Sequence, residues 1–240
     1  MSVLVTGAAS GIGAALMATL GSDAIGLDRH NAEIVCDLSD PDAIASAVER
    51  IEGPLDGLAH VAGVPGTYDA RTVIAVNCLA PPLLTELLLP RLRDGASILV
   101  VSSIAALRCD WSAAALDALI DGGFAGLPDH AGSLTAPGAY EVSKAAINRW
   151  VIRESAALRP RGLRVNGVSP GPVETPILTD FRASMGADRI AAAAGLVGRH
   201  GTPEEIAVAC RFLLSVDASW INGIDLRVDG GFHAVRAVAA

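Results

Sequence analysis

The chain has 240 residues, 51% of them apolar, 18% charged and only 4% aromatic, with Gly 25 and Pro 13. This length can fill a sizeable core, and the residue mixture excludes disordered, collagen-like and coiled-coil architectures. Lys and Arg number 18 against 26 Asp and Glu, a formal charge of −8 that argues against nucleic-acid or anionic-membrane partners.

Residues 1–22 carry no charged side chain and match the length of a membrane span. Gly7, Gly11 and Gly13 among Thr6 and Ser10 instead parse as strand, glycine turn and helix, with no membrane or targeting segment. Val3–Val5 is the first predicted strand, and Ala24–Leu27 the second, running into Asp28. Asp37-Leu38 reads as the end of a third. Asp42–Ile51 predicts a helix, Leu58–Val61 a strand, Thr72–Leu92 a helix and Ile98–Val101 a strand. Residues 105–138 show no strand pattern and hold Gly122-Gly123, Pro128 and Gly132 around a helical piece, Trp111–Ile120. They read as an insertion. Helix Tyr140–Leu158 and strand Leu163–Val165 follow, then a second irregular stretch, 175–201, read as a substrate lid. Thr202 before Pro203, Glu204 and Glu205 signals the start of helix Pro203–Leu214, and Ile224–Leu226 is the last strand. The strands are apolar throughout, as in strands covered on both faces. Their alternation with helices predicts an α/β fold, a doubly wound parallel sheet (Rossmann-like) in a single domain over 1–240.

Chemistry concentrates at a few points. In Thr6-Gly7-Ala8-Ala9-Ser10-Gly11-Ile12-Gly13, one glycine permits a tight turn, another lets backbone N–H groups approach a pyrophosphate, and a third lets helix and strand pack closely. The helix N-terminus adds partial positive charge. Asp28, twenty-one residues beyond Gly7, is placed to accept the adenosine ribose hydroxyls and to repel a 2′-phosphate. That favours NAD over NADP, with Arg29 leaving room for some NADP tolerance. Asp37 and Leu38 fall where the ligand crevice is expected. Tyr140 and Lys144 stand four residues apart, on one helix face. A phenol titrates near pH ~10, and a nearby ammonium favours its anion.

The glycine turn, Asn77, Val101-Ser102-Ser103, Tyr140-x-x-x-Lys144, Val168-Ser169-Pro170-Gly171 and Val228-Asp229-Gly230-Gly231 occur in order. Together they resemble the short-chain dehydrogenase/reductase family over essentially the full length. The short Asp28–Asp37 segment, Leu55-Asp56-Gly57-Leu58 and the long Ser103-to-Tyr140 gap are similar to the 3α-hydroxysteroid dehydrogenase/carbonyl reductase subgroup. The resemblance implies an NAD-dependent enzyme in which Tyr140 is the acid/base, and Lys144 lowers its pKa and holds the nicotinamide ribose. Ser103 would bind the substrate oxygen and Asn77 would hold a relay water. Gly7, Ser10, Gly11, Ile12, Gly13, Asp28, Asp37, Leu38, Ala62, Gly63, Pro170, Gly171, Val173 and Thr175 would line the cofactor with Tyr140 and Lys144. The family's usual Asn-Asn-Ala-Gly reads His60-Val61-Ala62-Gly63, which removes two amide contacts; His60 is read as a packed strand histidine.

Gly167-Val168-Ser169-Pro170-Gly171 imitates a hydrolase elbow, but Pro170 has no N–H for an oxyanion hole. His30, His60, His130, His200 and His233 show no metal-ligand spacing, and no metal is expected. Cys36, Cys78, Cys109 and Cys210 form no CxxC pair and read as reduced thiols of a cytoplasmic protein. Apolar lid residues Ile177, Leu178, Phe181, Met185, Ile190, Leu196 and Val197 point to a small hydrophobic secondary alcohol or ketone; the resemblance implies a 3α-hydroxysteroid or other carbonyl compound, with a cinnamyl-type alcohol as the alternative. A noncatalytic NAD-binding sensor is the alternative from another class. The resemblance also implies a homodimer, with the insertion blocking the usual helix contact and shifting the interface to Pro203–Leu214 and the last strand.

Overall fold

Seven parallel strands form one sheet in the order β3-β2-β1-β4-β5-β6-β7. The computed structural model describes residues 1–185 and 187–239. β1 (Val3–Thr6) lies between β2 (Ala24–Asp28) and β4 (Leu55–His60), with Thr6 level with both Leu27 and His60. Strand order reverses there, so a crevice opens at the carboxyl ends of β1 and β4, where dinucleotides bind in doubly wound sheets. Beyond β4 come β5 (Leu92–Val101), β6 (Arg164–Pro170) and β7 (Asp225–Val228). The third strand is shorter than its reading: β3 is Ile34–Val35 alone, so Asp37 and Leu38 follow it in a loop.

Helices cover both faces. On one side lie α1 (Gly11–Leu20) and α9 (Pro203–Leu214), burying Leu16, Ile206, Cys210 and Leu213 against Val3, Val5, Ala59 and Leu99. Thr202 and Glu205 close a reciprocal capping box on α9, as its first residues predict. On the other side lie α2 (Pro41–Glu49), a long helical run and α6 (Ala136–Ala157). α6 starts four residues before Tyr140, because the Thr135 hydroxyl caps Gly138 N–H and Pro137 suits a first turn.

The predicted helix Thr72–Leu92 is not regular. It comprises α3 (Ala70–Ile74), a π turn (Ala75–Leu79), α4 (Ala80–Leu88) and a 3₁₀ turn (Leu89–Arg91). The run is long and apolar enough to cross a membrane, yet 67% of its most apolar window is buried inside this fold.

Both irregular stretches are mostly helical. The insertion holds a 3₁₀ helix (Ile104–Arg108) and α5 (Ala113–Ala131), kinked at Gly123 where φ is 53°. α5 packs along α6, and Asp117 grips Arg149 through two 2.9 Å hydrogen bonds. Stretch 175–201 folds into α7 (Pro176–Met185) and α8 (Ala187–Val197). A bridge between Val173 and Gly201 joins its two ends. The chain closes with α10 (Phe232–Ala239), capped by Asp229, whose carboxylate accepts from Gly231 and His233 N–H at 2.9 Å.

Candidate active site

Close backbone approach explains the glycines. Gly7 has φ +72°, and a Cβ on it would stand 2.8 Å from Ala62 N and Cα. A Cβ on Gly13 would lie 2.0 Å from Gly7 O, so α1 starts directly on the turn and only hydrogen fits. The Thr6 hydroxyl accepts from Val61 N at 3.0 Å and from Ala62 N at 3.1 Å, stitching β1 to the end of β4.

Two adjoining cavities run along the carboxyl ends of the strands. The larger, about 420 Å³, is lined by Gly7, Ser10, Gly11, Ile12, Gly13, Asp28, Asp37, Leu38, Ala62 and Gly63, all cofactor residues read from the sequence. The smaller, about 110 Å³, is lined by Ser103, Tyr140, Lys144, Pro170, Gly171, Val173 and Thr175. Ile12, Val61, Gly63, Thr175 and Ile177 line both, so the two are one cleft. Its form fits a dinucleotide: an acid-lined end at Asp28, a glycine-walled middle at a helix N-terminus, and a narrow end against the phenol. Asp28 accepts from Ala9 N at 2.9 Å and from Arg29 N at 2.6 Å, which fixes its carboxylate at the rim. Asp37 accepts from Ser39 N and Oγ, and these two bonds hold its carboxyl below the usual range.

Around the phenol, each group has a defined seat. Ser103 lies two residues beyond β5, and its Oγ accepts from Ala105 N at 3.1 Å, capping the 3₁₀ helix. The same side chain is hydrogen-bonded to Tyr140. Lys144 is buried, and its Nζ donates to Val101 O at 3.0 Å. Burial drives its pKa down to about 8, which leaves it charged at neutrality. A Cβ on Gly63 would come within 3.5 Å of that Nζ and 3.3 Å of Asn77 Oδ1, so the glycine keeps room for both.

Burial pushes the Tyr140 phenol up, and Ser103 and Arg108 draw it down. The Lys144 ammonium points to the Val101 carbonyl and lies 5.8 Å from the phenol ring centroid. The Asn77 side-chain amide spans Val64, accepting from N at 2.8 Å and donating to O at 3.0 Å, and it also donates to Ser143 Oγ at 3.2 Å. It sits in the π turn, a feature that often marks functional positions in helices.

His60 has the packed role read for it. It is 3% exposed, 2.8 Å from Thr85 Oγ1 through Nε2, and edge-on to Trp150. Burial lowers its pKa to about 3, so it is neutral. Ser169 of the elbow-like sequence is buried within β6 and is not among the residues lining either cavity. Among the described residues no three His, Cys, Asp or Glu side chains gather as a metal site. Of the lid's apolar residues, Ile177 and Leu178 line the smaller cavity, and the side chains of Phe181, Met185 and Ile190 lie outside the described set. Sequence reasoning missed Val64, Pro65, Tyr68, Thr72, Val76 and Asp180 along the larger cavity. Val64 and Pro65 directly follow Gly63, and that adjacency was the available signal.

A family model described as enoyl-(acyl carrier protein) reductase matches residues 130–233. The 3-alpha-hydroxysteroid dehydrogenase/carbonyl reductase of Comamonas testosteroni is 32% identical over 248 residues, 97% of this chain and 96% of that protein. The chain belongs to the short-chain dehydrogenase/reductase family. Another member, coniferyl-alcohol dehydrogenase of Pseudomonas sp. (strain HR199 / DSM 7063), is 35% identical over 244 residues, 95% of each chain. A solved structure, the 3-alpha-hydroxysteroid dehydrogenase from Pseudomonas sp. B-0831 complexed with NADH, superposes with a TM-score of 0.88 at 36% identity, covering 100% of both chains.

Proposed function

We propose that this short-chain dehydrogenase/reductase interconverts a hydrophobic secondary alcohol and its ketone with NAD(H), with 3α-hydroxysteroids as the leading substrate class. The observation that carries this reading is the continuous cleft, in which a glycine-walled dinucleotide cradle meets a hydrogen-bonded Ser103–Tyr140 pair. A nicotinamide dinucleotide, when bound, supplies the two-electron acceptor or donor.

The remaining work belongs to the chain. Tyr140 takes the proton from the alcohol oxygen, or returns it to the carbonyl oxygen, while Ser103 holds that oxygen in place. Lys144, charged and fixed on Val101, would bind the nicotinamide ribose. Asn77 would act by holding the Val64 backbone and α6 in register. Asp28 would accept the adenosine ribose hydroxyls, which favours NAD over NADP. Val173, Ile177 and Leu178 give the smaller cavity an apolar wall suited to a hydrocarbon substrate. Stretch 175–201 serves as the lid over it.

A cinnamyl-type alcohol is the second reading, favoured by the similarity to coniferyl-alcohol dehydrogenase. The deciding assay compares kcat/KM for a 3α-hydroxysteroid and a cinnamyl-type alcohol, each with NAD and with NADP, by absorbance of the reduced cofactor. A higher value for the steroid with NAD supports the first reading, and the reverse order installs the second. Tight NADH binding without turnover on any alcohol would favour a sensor.

The unit is taken to be a homodimer through α9 and β7. Val208 is 61% exposed and Trp220 99%, with Phe212 and Val216 also exposed beside them, while α5 already covers part of α6. Unpaired Cys36, Cys78, Cys109 and Cys210 suit a reducing, cytoplasmic setting.

A further inference from the structure

A dinucleotide brings a negatively charged pyrophosphate into the larger cavity. Among the described residues, the charged side chains lining that cavity are Asp28, Asp37 and Asp180 against Arg29. Arg29 directly follows Asp28 at the adenosine end, so the phosphates depend on uncharged donors: the N-terminus of α1 and side-chain hydroxyls. Most of the hydroxyls along the cavity are already engaged. Ser39 Oγ donates to Asp37 at 2.7 Å, Thr72 Oγ1 to Asp69 at 2.6 Å and Thr175 Oγ1 to Val173 O at 3.4 Å. Ser10, in the glycine turn, makes no side-chain cap on α1. The other uncommitted hydroxyl is that of Tyr68, which has no hydrogen-bond partner among the described residues. We propose that Tyr68 is a phosphate-binding residue of the cofactor site, its hydroxyl donating to a pyrophosphate oxygen from the loop that follows β4.

The proposal rests on the cleft taking a dinucleotide. The loop that carries Tyr68 is built to hold it still. Asn77 clasps both backbone polar groups of Val64. A Cβ on Gly66 would stand 3.0 Å from Ala136 O and Pro137 Cα, so the loop lies directly on the start of α6. Tyr68 N–H donates to Pro65 O at 3.2 Å, closing a turn. The next residue, Asp69, caps α3 by accepting from Thr72 N at 3.0 Å. Tyr68 is thus pinned between a turn and a helix cap. Its side chain is 37% exposed and belongs to neither apolar core, so packing does not account for a large ring at this place. A donor fixed before its ligand arrives loses little freedom on binding, and a hydrogen bond to a charged oxygen is stronger than one to a neutral group. The lid offers no substitute: from α7, Pro176 and Ile177 bring no side-chain donor to this cavity, and Asp180 brings negative charge.

Tyr68→Phe removes the oxygen and keeps the ring. Without any alcohol present, NADH affinity measured by cofactor fluorescence should fall about tenfold in the variant. ADP-ribose, which carries the same pyrophosphate, should lose the same factor as a competitor. Adenosine, which carries no phosphate, should compete equally well on native and variant proteins. The melting temperature without cofactor should be the same in both, while the rise produced by NADH shrinks in Tyr68→Phe. Equal NADH affinity in the two proteins would overturn the proposal. So would an equal loss for adenosine, which would place the hydroxyl on the sugar or base instead of the phosphates. A native protein that binds neither NADH nor ADP-ribose would overturn the dinucleotide reading itself, and the role of Tyr68 with it.

Discussion

His60 ends β4 in a buried seat, and its titration gives a test that needs no substrate. Its ring is 3% exposed, 2.8 Å from Thr85 Oγ1 and edge-on to Trp150 at 6.2 Å between centroids. Burial holds the folded pKa at about 3 against an ordinary 6.5. The folded state thus refuses a proton that the unfolded chain accepts. Stability from this group is intact above pH 6.5 and is lost as pH falls toward 3. Between pH 7 and pH 5 the loss is about 2 kcal/mol, from the linkage of proton uptake to unfolding. His60→Gln removes the titration and leaves Thr85 a polar neighbour. It also forfeits the ring contact, so at pH 7 the variant should be weaker by about 1–2 kcal/mol. By pH 5 the native protein should have surrendered that lead. Urea unfolding of both proteins at pH 7, 6 and 5 measures the difference, and acid effects common to both cancel. Parallel stability–pH curves would refute the reasoning, since they would mean that His60 takes up its proton without unfolding.

Gly13→Ala should abolish NADH binding and lower the melting temperature, because the new methyl would stand 2.0 Å from the Gly7 carbonyl oxygen; cofactor titration and thermal scans check both. Asp28→Ser should move the NAD-to-NADP ratio of kcat/KM toward NADP by about tenfold, since it removes the carboxylate that would repel a 2′-phosphate. Val208→Glu together with Trp220→Glu should convert a homodimer into a folded monomer, read by light scattering, because both side chains are exposed on the proposed contact face.

Much of the site was legible because its chemistry depends on residue type at short range. Gly7 and Gly13 are demanded by backbone approaches of less than 3 Å, and Tyr140 and Lys144 by one helical turn. Long strands announced themselves through unbroken apolar runs, whereas β3, two residues long, has too little pattern to read. The partners that tertiary folding chooses left no local trace. Thr85 reaches His60 across 25 positions, and Asn77 finds the Val64 backbone from a π turn that its residue types do not encode. Arg108 and Glu141 look like ordinary surface charges until the 3₁₀ helix brings them together. The surroundings of Tyr140 were hidden for the same reason: sequence showed the nearby ammonium but neither the burial nor the Val101 carbonyl that holds it.

The most direct test is turnover and cofactor affinity measured together in Tyr140→Phe, using NAD and the best alcohol found for the native enzyme. NADH affinity should stay within about threefold, while kcat falls by about a hundredfold or more, the typical contribution of a positioned general base. A variant that binds NADH normally and still oxidises the alcohol within a few fold of the native rate would contradict the account.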